Sequence, residues 1–203
     1  MVFARAPQLG RVKTRLAATV GAERALRIYA SLAERVVASL AAGGAWELVV
    51  RCAPDDGCED VARWLGGRLR IEPQGDGDLG ARMARALSAE LAAGARRVVI
   101  VGTDCPDVGP EVVQRAFGAL QAHDLVYGPA TDGGYYLVGA RRPVPAVFTG
   151  VPWSTAETLA ASLERARHAG YSVRLLEMLS DIDTEEDWRT WRARVATGEV
   201  PRS

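Results

Sequence analysis

"VVIVGTDCPDVGPEVV", residues Val98 to Val113, is the stretch whose reading decides the fold. Four apolar residues, Val98 to Val101, run without alternation into Gly102-Thr103-Asp104-Cys105-Pro106. Such a run reads as a strand buried on both faces, as in a parallel sheet. Pro106 has no N–H and bars the ladder from continuing. Pro110 then falls near the first turn of a helical pattern, Gly109 to Ala122. Asp104 stands between strand and helix, an ionised group at the mouth of an apolar core, where lost hydration must be compensated. It either caps something or holds something. Asp107 reads as a cap for the following helix. Asp104 reads as a ligand for a hard divalent cation, which takes oxygen donors.

The same alternation extends outward in both directions. Before this stretch lie a strand start at Met1–Ala4, a helix over Gly21–Ala42, a strand over Glu47–Cys52 and a short helix from Cys58 to Gly66-Gly67. A strand over Leu69–Pro73 and a helix over Gly77–Gly94 complete that half. In the first helix Leu26, Tyr29, Ala33, Val36, Val37 and Leu40 share one face. After the stretch come strands over Asp124–Ala130 and Gly133–Ala140, then a helix opened by Ser154 or Thr155 and closed at Gly170. A strand over Tyr171–Leu179 and a helix over Asp183–Ala196 with an Asp/Thr cap end the pattern. Strand and helix alternating in this way imply one α/β domain over residues 1–203, a mostly parallel mixed sheet flanked by helices. Ligands of such sheets bind beyond the carboxyl ends of the strands.

Bulk properties narrow the function. The chain has 203 residues, 48% of them hydrophobic, with zero net formal charge. A balanced charge argues against wholesale nucleic-acid binding. No apolar run approaches the ~18 residues of a membrane span, and the amino-terminal apolar stretch is too short for a signal peptide. The expectation is a cytoplasmic protein with no membrane partner. The three cysteines, Cys52, Cys58 and Cys105, match no zinc spacing and read as free thiols. Of 25 basic residues 24 are arginine, and Lys13 is the single lysine.

That lysine lies in "ARAPQLGRVKTRLA", Ala4 to Ala17, with Arg5, Arg11, Arg15 and the loop glycine Gly10. Clustered cations are tolerable when solvated or when a polyanion sits among them. A glycine loop with Lys and Arg after a first strand forms a phosphate cradle. The pattern is neither a P-loop nor a dinucleotide fingerprint. "GDGDLGARM", Gly75 to Met83, is either a capped helix start or a loop that lets a base lie against bare backbone. "ATDGGYYLVG" is either a tight hairpin turn or a place where Asp132 and the Gly133 backbone meet an acceptor. Ser154 caps a helix or presents its start to an anion. In "LSDIDTEEDW", Asp183 by its spacing faces Asp104 and completes a metal site.

As a set, "FARAPQLGRVKTRL", "GDLGARM", "GTDCPDV", "DGGYYLVG", "WSTAETL" and "DIDTEEDW" resemble a family of small GT-A-type glycosyltransferase-like proteins. That family was formerly a domain of unknown function and is similar to molybdenum-cofactor and phospholactate guanylyltransferases. The resemblance spans nearly the whole chain and implies a nucleotide-diphospho-sugar transferase fold. It places Arg5, Lys13 and Arg15 at donor phosphates and Gly80 with its loop beside base and ribose. It makes Asp104 and Asp183 ligands of Mg²⁺ or Mn²⁺, and puts Asp132, Gly133 and Ser154 on the acceptor side. One departure is D-x-x-D, with proline inside, where glycosyltransferases of this fold carry D-x-D.

Three functions follow. The first is a metal-dependent glycosyltransferase using a nucleotide-sugar, with Asp132 orienting or deprotonating a small-molecule acceptor. The second is a nucleotidyltransferase using a nucleoside triphosphate and releasing pyrophosphate. The third is a nucleotide-binding protein without turnover.

Overall fold

The computed structural model describes residues 1–66 and 69–198. The expected helix end at Gly67 therefore lies outside the described residues. Seven strands form one sheet: β1 (Val2–Arg5), β2 (Val49–Ala53), β3 (Arg70–Pro73), β4 (Val98–Val101), β5 (Leu125–Pro129), β6 (Tyr135–Ala140) and β7 (Val173–Leu175). Their spatial order is β3-β2-β1-β4-β6-β5-β7, and only β6 runs antiparallel to its neighbours. All four β4 residues are buried, as the unbroken apolar run requires. Alternate side chains serve opposite faces: Val99 and Val101 join one core cluster, Val98 and Ile100 the other.

Helices cover both faces. On one, α2 (Ala22–Ala42) and α5 (Pro110–Ala119) contribute Val36, Val37, Leu40, Val112 and Ala116 to the core. On the other, α4 (Leu79–Ala92) and α6 (Thr158–His168) contribute Met83, Leu87 and Ala166. Each fully buried large aliphatic side chain contributes about 1.5–3 kcal/mol. α3 (Cys58–Leu65) flanks the β2–β3 edge, and α7 (Glu185–Thr197) closes the chain.

Several expectations change. A separate helix α1 (Thr14–Val20) precedes α2, and Gly21 at φ +82° forms the break between them. α6 begins at Thr158, so Ser154 is not its cap; Ser154 sits in the preceding turn at φ +62°. Asp107 does not cap α5, whose N-cap is Gly109. Its carboxylate accepts hydrogen bonds from Trp191 Nε1 and Arg194, both at 2.9 Å, and so docks α7. β7 is shorter than its apolar pattern: residues 176–178 leave the ladder, and Leu179 rejoins it by pairing with Ala130. Cys52 and Cys58 are disulfide-bonded rather than free, since the end of β2 and the start of α3 bring their Cα atoms within 5.6 Å. Cys105 is the free, buried thiol. No described helix is long and apolar enough to cross a membrane.

Candidate functional site

The antiparallel β6 brings its preceding turn to the edge where β1, β4 and β5 end. Four segments therefore converge there: the loop after β1, Thr103-Asp104 after β4, the Thr131–Gly134 turn, and Asp181–Asp183 before α7. They enclose a cleft of about 960 Å³, a size that suits a nucleotide-sized ligand.

Asp104 and Asp183 are joined by backbone as well as by charge. The Ile182 N–H donates to the Asp104 carbonyl at 2.9 Å. The Ile182 side chain is buried with Leu16, Ile28 and Leu32 of α1 and α2, against Trp188 and Trp191 of α7. The Thr184–Asp187 capping box at the start of α7 fixes the other side, and Asp187 also accepts the Asp183 N–H at 3.1 Å. Both expected carboxylates thus face one point, as their spacing suggested.

Lys13 lines this cleft together with the loop arginines. Its Nζ lies 2.5 Å from Asp104 Oδ1 and 2.9 Å from Asp183 Oδ1, with its side chain only 4% exposed. Burial alone would depress the ammonium pKa, but the charges of Asp104 and Asp183 outweigh it and hold the pKa above its usual value. Arg15 approaches Asp183 at 3.8 Å. Arg5, Arg11 and Arg15 are exposed and line the cleft. They form an exposed cationic rim, with Lys13 buried beside it.

Asp132 lines the same cleft and folds over its own turn, accepting the Gly134 N–H at 2.8 Å. Gly133 does not line the cleft; Gly134 does. Gly133 packs on the Trp153–Ala156 turn, where an added Cβ would lie 2.2 Å from the Ala156 carbonyl oxygen. Its carbonyl accepts the Leu159 N–H, so α6 is docked on the hairpin turn and Ser154 is carried to the cleft. Gly80 likewise lies under the site rather than in it: a Cβ there would meet the Trp153 ring at 2.5 Å. Residues 77–79 line the cleft in its place. Gly10 is exposed at φ +72° in the loop after β1.

Three contributors stand outside the site residues predicted from sequence, where Asp183 is preferred to Asp181 by spacing. Asp181 accepts a hydrogen bond from Thr131 at 3.3 Å, and its pKa is pushed up by burial and by the nearby Asp132 charge. Its place beside Asp183 in D-I-D was the available signal. Tyr29 accepts the Arg5 N–H at 2.7 Å and donates to the Arg5 carbonyl at 2.8 Å, locking the strand end. Buried Gln74 donates to the carbonyls of Ala4 and Arg51. Burial raises the Cys105 pKa well above the usual thiol range, so this thiol is a packing group.

Among the described residues no three ligating side chains form a preformed metal cage. The Asp104–Asp183 pair still fits Mg²⁺ or Mn²⁺. Its oxygens already hold one cation, and Mg²⁺ is commonly bound by one or two carboxylates together with substrate phosphates and water.

Sheet order, the reversed β6 and this polar cleft define a transferase domain of the nucleotide-diphospho-sugar transferase fold. The chain belongs to the family described as "Uncharacterized protein conserved in bacteria (DUF2064)", which matches residues 36–155. It is 36% identical over 182 residues to a 3-phospho-D-glycerate guanylyltransferase from Phenylobacterium zucineum (strain HLK1), covering 86% of this chain and 81% of that protein. A crystal structure from Desulfovibrio desulfuricans G20, assigned to the nucleotide-diphospho-sugar transferases, superposes with a TM-score of 0.89. It is 35% identical, over 95% of this chain and 86% of its own. In fold alone the chain also resembles 4-diphosphocytidyl-2C-methyl-D-erythritol synthase from Anaerococcus prevotii DSM 20548. There the TM-score is 0.61 at 12% identity, over 96% of this chain and 95% of the other.

Proposed function

We propose that the protein is a metal-dependent nucleotidyltransferase. It moves a nucleoside monophosphate from a nucleoside triphosphate, GTP in the first instance, onto the phosphate of a small phosphorylated acid. The observation that carries this is the carboxylate pair Asp104–Asp183 set in one cleft against the arginine rim of Arg5, Arg11 and Arg15. The relationship to a guanylyltransferase supports nucleotidyl over glycosyl transfer, so the nucleotide-sugar donor expected from sequence gives way to a triphosphate.

An acceptor phosphate oxygen attacks the α-phosphorus. The bond from that phosphorus to the bridging oxygen breaks, and pyrophosphate leaves. The acceptor phosphate is already an anion, so no base has to remove a proton. Asp132 then orients the acceptor side of the cleft, where a glycosyl reaction would need it as a base. Arg5, Arg11 and Arg15 bind the triphosphate and neutralise charge on the departing pyrophosphate. A divalent cation on Asp104 and Asp183 would supply further charge neutralisation at the transferring phosphoryl group. The loop around Gly77 and Asp78 offers a base exposed backbone; Arg82 and Arg85 brace it through the carbonyls of Gly77, Gln74 and Asp76.

The test is pyrophosphate release from GTP, Mg²⁺ and 3-phospho-D-glycerate, with mass spectrometry of the product. The expected result is acceptor-dependent pyrophosphate and an acceptor heavier by one guanylyl group. Release of a nucleoside diphosphate from UDP-glucose or GDP-mannose, with none from GTP, would return the reading to glycosyl transfer.

A further inference from the structure

Lys13 is the single lysine of the sequence, and its ammonium is committed to a contact the proposed reaction does not use. Its side chain is sealed at 4% exposure, while those of Asp104 and Asp183 are 53% and 35% exposed. The ammonium is thus shielded from solvent beside two carboxylates that are open to the cleft. Its backbone is left-handed, φ 47° and ψ 49°, a conformation that costs a non-glycine residue about 1 kcal/mol or more. It stands at the N-cap of α1 without making a side-chain cap. From this left-handed position the amine reaches both carboxylates.

Those two oxygens are the ones a divalent cation would take. An ammonium at hydrogen-bond distance from both repels such a cation strongly, because unit charges about 4 Å apart interact by several kcal/mol near a protein surface. With no third ligating side chain grouped with them among the described residues, the pair offers a metal little with which to overcome that repulsion.

We propose that Lys13 holds the metal's seat and makes metal and triphosphate bind together. A divalent cation arriving alone must displace the ammonium without compensation. Arriving with a triphosphate, it brings the negative charge that receives the displaced ammonium beside Arg15. Coupling of this kind is reciprocal, so the metal favours the triphosphate by the same factor. The coupling rests on the nucleotide reading above; the competition between Lys13 and metal does not.

The first measurement is Mn²⁺ binding to the full chain by electron paramagnetic resonance, without nucleotide, for wild type and Lys13→Met. The variant is expected to bind Mn²⁺ at least about tenfold more tightly. Equal or weaker binding would overturn the proposal, since Lys13 would then be a tie the metal site depends on. Adding GTP should tighten Mn²⁺ strongly in wild type and far less in the variant; equal tightening would remove the coupling. If GTP affects neither protein while the Mn²⁺ difference persists, the donor assignment fails and the competition stands. Should Lys13→Met not fold, ¹³Cε-lysine labelling places one reporter in the wild-type protein. Its resonance should move as Mg²⁺ saturates the site, and a resonance unmoved at saturation overturns the proposal.

Discussion

At Gly133 the backbone has φ +88°, and a Cβ would fall 2.2 Å from the Ala156 carbonyl oxygen and 2.6 Å from its Cα. Neither neighbour is a flexible side-chain end, so the turn itself would have to move. Gly133→Ala is therefore expected to cost about 2 kcal/mol or more, read as a lowered urea midpoint. Asp132 and Ser154 ride on the same contact, so KM for the acceptor should rise with it. Asp183→Asn tests a different residue property. It keeps the size and removes the charge that Lys13 and the metal share; Mn²⁺ affinity in the presence of GTP should fall at least about tenfold, and an unchanged affinity would take Asp183 out of the site. Asp104 is legible in sequence because it closes a buried apolar strand at the carboxyl edge where ligands of such sheets bind, although its side chain is 53% exposed and keeps much of its hydration. Lys13's partner is not legible in that way, because Asp183 lies 170 residues away. Only the fold reveals that the lone lysine contacts both carboxylates.

Elements repeat this division. β4, α2 and α5 are readable because apolar period and burial coincide in them. α6 is misread at its start because Ser154 and Thr155 carry cap chemistry. Instead Thr155 and Thr158 fold back on the Pro152 carbonyl, at 2.9 and 2.8 Å, and make a turn that faces the cleft. The start of α7 is read to within two residues: Thr184 is the cap, as the Asp/Thr reading allows, and its reciprocal bonding with Asp187 is added by the structure. That cap also holds the site: Asp187 Oδ2 accepts from both Thr184 and the Asp183 N–H. Burial opposes ionisation of Asp187, but the Thr184 and Asp183 donors prevail and its pKa lies below the ordinary range. Thr184→Ala should cost about 1 kcal/mol in thermal unfolding. It should also slow turnover by letting Asp183 wander. A variant that loses stability and keeps full kcat would confine the cap to a structural role.

Across the whole molecule, the cleft and a carboxylate–arginine tie at Asp124 occupy opposite ends of the strands. The cleft lies at the carboxyl ends of β1, β4 and β5, whereas Asp124 precedes β5 at the other end. Asp124 is buried and ties three segments together: Arg141 and Arg142 after β6 donate to it at 3.0–3.1 Å, and Ser172 before β7 donates through N–H and hydroxyl. The Arg142 hydrogen bonds, with those from Ser172 and Arg141, outweigh burial and hold this carboxyl well below the usual carboxylate range. Its folded pKa therefore lies under the unfolded value of about 3.9. The stabilisation it contributes is complete above that value and fades as pH falls from there towards the folded pKa. Asp124→Asn should cost about 2 kcal/mol at neutral pH, a figure kept low because the two arginines are 40% and 51% exposed and regain water. The gap between variant and wild type in urea unfolding should narrow from pH 4 downwards. A gap constant through pH 2 would mean that packing rather than charge supplies the contribution. Because the tie is remote from the cleft, Mn²⁺ and GTP binding at neutral pH should be the same in both proteins. Weakened binding in Asp124→Asn would show that the two ends of the sheet are energetically coupled.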